Sequence, residues 1–141
     1  MLDTELLPAA EADSKWLMVV LHGLGDSMEG YRWFPGIMEN PKLNYLLVNA
    51  PDDYYGGFSW YDIYDNPAPG VERSRNLLFE LLDQQREAGF ATEHTFLFGF
   101  SQGCLMTLET GLRYGVAGLG LFGWAMMTRA TLADALTLWE R

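Results

Sequence analysis

Histidine and cysteine are scarce in this chain of 141 residues: His22 and His94 are the only histidines and Cys104 is the only cysteine. A lone cysteine excludes an intrachain disulfide and favours the cytosol. Two histidines far apart in sequence and one thiol supply no ligand cluster, so no metal centre is expected. Basic residues are also few. Nine Lys+Arg against nineteen Asp+Glu leave a net charge of −10, a balance that repels phosphate backbones and anionic surfaces and excludes nucleic acid as an expected partner. The longest uncharged apolar stretch, residues 116–127, falls well short of the roughly 20 a membrane helix needs, so no membrane span is expected. Residues 1–14 carry Asp3, Glu5, Glu11 and Asp13 and no apolar run behind positive charge, unlike a secretory signal. What is abundant is apolar: 49% hydrophobic residues indicate a packed globular chain, and 14% aromatics point to a lined pocket or an interface. No repeat, low-complexity tract or linker divides the sequence, and one cytoplasmic domain over residues 1–141 is expected.

Short apolar runs alternate with longer amphipathic ones. Trp16–Leu21 reads as a buried strand, followed by an aromatic-rich helix over 28–40 that Pro41 stops. A second strand is expected over 43–50, then a loop from 54 to 70 with a dense aromatic cluster. Helical spacing of Val71, Leu77/Leu78 and Leu81/Leu82 predicts a helix over 71–88, with Gly89 past its end. Thr95–Phe100 is a third strand, Gln102–Tyr114 a helix, and 116–122 a fourth strand. A last helix over 131–141 places Leu132, Leu136 and Trp139 on one face. This order predicts an α/β fold, a mainly parallel sheet flanked by helices, with the ligand site at the carboxyl ends of the strands.

At one such end stands Gly99-Phe100-Ser101-Gln102-Gly103, a G-x-S-x-G string between a predicted strand and a predicted helix. A serine in that turn projects its hydroxyl above the sheet edge, and the following helix aims its free N–H groups at the same spot. The nucleophile reading of Ser101 stands beside that of an ordinary turn serine. His22-Gly23-Leu24-Gly25-Asp26 leaves the first strand nearby. Its glycines let the backbone approach Ser101, so the Leu24 and Gln102 amides are expected to converge on a carbonyl oxygen.

Residues 21–26, Trp60-Tyr61-Asp62-Ile63 and residues 99–103 together resemble the phospholipase/carboxylesterase group of α/β-hydrolases, which includes the acyl-protein thioesterases. The likeness runs from about Trp16 to Gly123. It implies Ser101 as nucleophile, the Leu24 and Gln102 amides as oxyanion hole, and cofactor-free hydrolysis of small carboxylic esters or thioesters. It also implies that residues 54–64 lie near the acyl or alcohol pocket, with Trp60 as a substrate-binding candidate.

Serine needs a general base, and in this fold the order is Ser, Asp, His. After Ser101 the chain offers Glu109, Asp134 and Glu140 and no histidine. His94 begins the strand that Ser101 ends, about 23 Å away at the wrong sheet edge. His22 is assigned to the oxyanion-loop motif and to a structural role. The expected architecture is therefore an α/β-hydrolase core lacking its C-terminal strands, with the triad Asp and His missing. The alternative is a non-catalytic module of the same fold that binds acyl or other hydrophobic ligands. The strand over 116–122 is expected to be an uncovered edge that promotes self-association.

Overall fold

The computed structural model describes residues 1–116 and 118–122. Among the described residues, seven strands and three α-helices follow in the order β1 (Thr4–Leu7), β2 (Trp16–Leu21), α1 (Phe34–Met38), β3 (Leu43–Val48), β4 (Asp52–Tyr54), β5 (Gly57–Ser59), α2 (Pro67–Glu87), β6 (Thr95–Phe100), α3 (Gln102–Tyr114) and β7 (Gly118–Phe122). The main sheet has the order β1-β3-β2-β6-β7, parallel throughout except that β1 runs antiparallel to β3. Every residue of β3, and all of β2 after Trp16, is buried. Strands covered on both faces can be apolar without alternation, which is why they read as continuous runs.

The two faces carry separate cores. Val19, Leu21, Leu46 and Leu97 pack with Leu78, Leu81 and Leu82 of α2 and with Leu105 and Met106 of α3. Met18, Val20, Tyr45 and Leu47 pack on the other side with Tyr31 and Phe34. Register pairs Leu21 with Val48 on one side and with Gly99 on the other. His22, Asn49 and Ser101 therefore leave the sheet along one edge, the carboxyl edge expected to hold the site.

Several boundaries differ from the sequence reading, each for a local reason. The helix expected over 28–40 is a 3₁₀ turn, Met28–Tyr31, followed by the five-residue α1. Pro35 sits in the first turn of α1, where its missing N–H is harmless, but it cannot continue bonding from the preceding turn. Helix α2 begins at Pro67, before the expected 71, because the Asn66 side chain accepts from the Ala68 N–H and prolines suit a first helical turn. The loop expected from 54 onward contains the end of a hairpin, β4–β5, closed by Tyr55 (φ 44°) and Gly56 (φ 87°). Both turn residues have positive φ, as a two-residue hairpin with right-handed twist requires. The acidic N-terminal stretch holds β1, a short edge strand in which Glu5 pairs with Arg32 at 2.8 Å. The fourth strand is β7, Gly118–Phe122, beside β6. The helix expected over 131–141 lies outside the described residues.

Candidate active site

Ser101 joins β6 to α3 with φ 52° and ψ −113°, a conformation that L-residues rarely adopt. The residues two positions to either side, Gly99 and Gly103, must lack a side chain for the strand and helix to meet this closely. A Cβ on Gly103 would lie 2.2 Å from the Leu21 carbonyl oxygen and 2.6 Å from that of His22, while one on Gly23 would lie 3.4 Å from the Ser101 Cβ. Residues 21–23 and 101–103 thus pack backbone to backbone. Ser101 is partly exposed, and its hydroxyl does not cap α3. Among the described residues, the hydroxyl has no hydrogen-bond partner, and the N–H groups of Leu24 and Gln102 meet no acceptor.

His22 is fully buried, and both its nitrogens are engaged. The Ala50 N–H donates to Nε2 at 3.0 Å, so the ring proton sits on Nδ1, which lies 2.6 Å from the Gly23 carbonyl oxygen and donates to it. Burial pushes the imidazole below its ordinary value, only partly opposed by the Gly23 bond and the Asp26 charge. Gly23 C=O and Leu24 N–H belong to one trans peptide. Fixing the carbonyl toward His22 therefore turns the Leu24 N–H the opposite way. His22 is an orienting group for this loop, as the sequence reading held, and has no free nitrogen for base work.

The rest of the loop is held by the hairpin. Gly25 N–H donates to Phe58 O and Phe58 N–H to Asp26 O, each at 2.9 Å. The segment after β5 is held in turn by the Gln102 side chain, also fully buried. Its Oε1 accepts from the Trp60 N–H at 2.7 Å, and its Nε2 donates to the Tyr61 carbonyl at 2.7 Å. The Trp60 indole donates to the His22 carbonyl at 2.9 Å, and Ser74 on α2 donates to the Trp60 carbonyl at 2.5 Å. These bonds hold Trp60, the substrate-binding candidate, in the interior. The residue has no exposed surface, and its ring packs 5.6 Å from that of His22. A cleft of about 400 Å³ does open beside the oxyanion-loop candidate, lined by Leu24, Tyr54, Tyr61, Ile63 and Tyr64 with Asp53 and Asp62 at its walls. Its lining includes both neighbours of Trp60, Ser59 and Tyr61, and not Trp60 itself. The Gln102 side chain had no signal in the sequence, since its partners lie over 40 residues away.

The other candidates are brought elsewhere. His94 ends a 3₁₀ turn at the start of β6 and packs on Trp16, ring centroids 4.3 Å apart, at the opposite sheet edge from Ser101. Glu109 binds Arg75 at 2.9 Å and Arg113 at 2.8 Å. Cys104 is buried, and that burial pushes its thiol up, away from reactivity. Asp134 and Glu140 lie outside the described residues. Among the described residues no group of His, Cys, Asp and Glu is placed to hold a metal ion, and no helix is long and apolar enough to cross a membrane.

Comparison with known proteins shows the family and the fold. Acyl-protein thioesterase 1 of Schizosaccharomyces pombe is 33% identical over 119 residues, 75% of this chain and 53% of its own length. Acyl-protein thioesterase 1 of Candida albicans is 34% identical over 123 residues, 74% of this chain and 53% of its own length. The chain therefore spans about half the length of these curated relatives. The crystal structure of Zea mays acyl-protein thioesterase 2 shares the fold, with a TM-score of 0.69 at 21% identity, over 95% of this chain and 67% of the other. The family model for phospholipases and carboxylesterases matches residues 4–137, a longer stretch than the 16–123 carried by the sequence motifs. With nearly the whole sequence matched and the serine turn in place at the strand edge, the chain belongs to the phospholipase/carboxylesterase family.

Proposed function

We propose that this chain supplies the nucleophile and the oxyanion donors of a serine hydrolase acting on small carboxylic esters or thioesters without a cofactor. The observation that carries the reading is Ser101: a serine in the left-handed region, at the head of α3, with its hydroxyl unbonded among the described residues. Backbone strain held at one residue between a strand and a helix is a feature of functional turns. In the proposed reaction the Ser101 oxygen attacks the acyl carbon and its proton passes to a base. The carbonyl electron pair moves onto oxygen and is held by the N–H groups of Leu24 and Gln102. Collapse expels the alkoxide or thiolate and leaves an acyl-serine that water cleaves. The cleft beside Leu24 takes the acyl or alcohol portion.

Neither histidine of the sequence is available as that base, because His22 is bonded through both nitrogens and His94 is at the far edge. The proposal therefore assigns this chain the attacking and stabilising groups, with the proton acceptor supplied by another group. That acceptor can be replaced in a test by free imidazole. Wild-type protein and Ser101→Ala are incubated with p-nitrophenyl acetate and imidazole, and acetylation is mapped by mass spectrometry. Acetyl on Ser101, growing with imidazole and absent from the variant, is the expected result. Equal acetylation and equal ester turnover in both proteins would overturn the assignment.

A second reading has a specific observation in its favour, the lack of an imidazole against Ser101. In it the cleft binds acyl or other hydrophobic ligands without chemistry. It predicts that Ser101→Ala binds a fatty acid as tightly as the wild type and that neither protein is acetylated.

A further inference from the structure

The same short segment, residues 58–61, touches both sides of Leu24 and also the residue after Ser101. On one side of Leu24, the His22 carbonyl accepts from the Trp60 indole at 2.9 Å. On the other, Gly25 N–H donates to Phe58 O at 2.9 Å. The segment itself is tied to Gln102 by the 2.7 Å bonds to Trp60 N–H and Tyr61 O, with Ser59 Oγ a further 3.2 Å contact of Nε2. The amide orientation of Gln102 is fixed by chemistry, because a backbone N–H on one side and a carbonyl on the other admit only one assignment of oxygen and nitrogen. Ser74 anchors the Trp60 carbonyl to α2. Gln102, Trp60 and His22 have no exposed surface, so water does not compete for these bonds.

We propose that the side chains of Gln102 and Trp60 form a buried strut that sets the separation of the Leu24 and Gln102 backbone N–H groups, so that the pair is preformed before any ligand arrives. The two residues are positioning residues. Neither side chain reaches the cleft. Gln102 then has a double task, offering its backbone N–H and carrying on its own side chain the tie that places the partner donor. Preformation matters because donors that must reorganise during reaction lose much of their stabilising effect, and a displacement of about 1 Å can cost about 100-fold in rate. The inference rests on the proposed hydrolase reading for its catalytic consequence and on geometry alone for its structural one.

The two parts are separable by experiment. Trp60→Phe removes the indole N–H together with the volume of the five-membered ring and keeps an aromatic ring at the site. Gln102→Met removes both ends of the amide at similar volume, and Gln102→Glu keeps the acceptor for the Trp60 N–H while placing an oxygen against the Tyr61 carbonyl. Hydrogen exchange by NMR is read at Gly25 and Phe58, whose amides bond across the loop and hairpin, and, as an internal reference, at Val19 and Leu97 in the sheet centre. Acetylation of Ser101 by p-nitrophenyl acetate with imidazole is followed to saturation in each protein. The strut predicts faster exchange at Gly25 and Phe58 in Trp60→Phe and Gln102→Met, with the reference amides unchanged. It predicts a maximal acetylation rate lower by about 10- to 100-fold, with the half-saturating ester concentration within about twofold of wild type. Gln102→Glu is expected to lie between Gln102→Met and the wild type. Trp60→Phe with wild-type exchange at Gly25 and Phe58 would overturn the strut, as would loss of protection spread evenly through the sheet. Absence of acetylation in the wild type would overturn the hydrolase reading instead, and the exchange data would still decide the strut.

Discussion

Ser101 occupies backbone angles that suit glycine, and the chain retains a serine there. The strain is a measurable quantity. Residues held in such regions cost about 1–3 kcal/mol, which Ser101→Gly relieves and Ser101→Ala does not. Urea unfolding is expected to show Ser101→Gly more stable than Ser101→Ala by about 1 kcal/mol, the gain reduced by the extra freedom of glycine in the unfolded chain. Equal stability of the two variants would mean the turn is unstrained. His22 gives a second residue-scale expectation. Its folded-state affinity for protons lies below that of a free imidazole because it is buried and its Nε2 already accepts a bond. The unfolded chain therefore binds the proton more readily. The stability this provides is complete above the ordinary histidine range near 6.5 and is lost as pH falls below it. Unfolding free energies between pH 7 and 5 should decline for the wild type and decline less for His22→Gln. A parallel fall in both would place the pH dependence elsewhere.

The elements that were legible in the sequence are those whose burial is simple. Strands β2, β3 and β6 are continuous apolar runs because the sheet is covered on both faces, and α3 is bounded by Ser101 and by Gly115 in the left-handed conformation. Those elements also bring Ser101 and the 22–26 loop to one edge, so the backbone part of the candidate site was readable too. Strand β1 and the β4–β5 hairpin were not, since both are short and partly exposed, and their apolar and polar residues do not alternate long enough to be distinguished from loop. The burial of Trp60 was unreadable for another reason. It depends on Gln102 and His22, contacts made across the fold, and no local pattern distinguishes a pocket tryptophan from a buried one. At this scale the joint between β2 and α3 supplies a test in which two effects oppose. Alanine is favoured over glycine inside a helix by up to about 1 kcal/mol, but a Cβ on Gly103 would meet backbone oxygen at 2.2 Å. Overpacking against backbone costs about 1–3 kcal/mol and is expected to prevail. Gly103→Ala should therefore lower the thermal midpoint by several degrees, whereas an unchanged or raised midpoint would show that the joint can open without loss.

Across the molecule, the described sheet ends in β1 on one side and β7 on the other. An end strand offers unpaired backbone groups to a second chain, while a net charge of −10 opposes association at low salt. The balance predicts self-association that strengthens as salt screens the charge. Sedimentation at rising sodium chloride is expected to show it, and a constant monomer mass at all salt and protein concentrations would contradict it. Distant parts of the fold join beside Ser101, where the loop after β2 and the head of α3 are both bonded to the segment after β5. The most direct test of the proposed function is a crystal structure of the protein after treatment with a p-nitrophenyl alkylphosphonate in the presence of imidazole. The expected result is phosphorus bonded to the Ser101 oxygen, with the phosphoryl oxygen about 2.7–3.1 Å from both the Leu24 and the Gln102 backbone nitrogens. A phosphonate attached to Ser101 with that oxygen turned to solvent, or attached to any other residue, would contradict it.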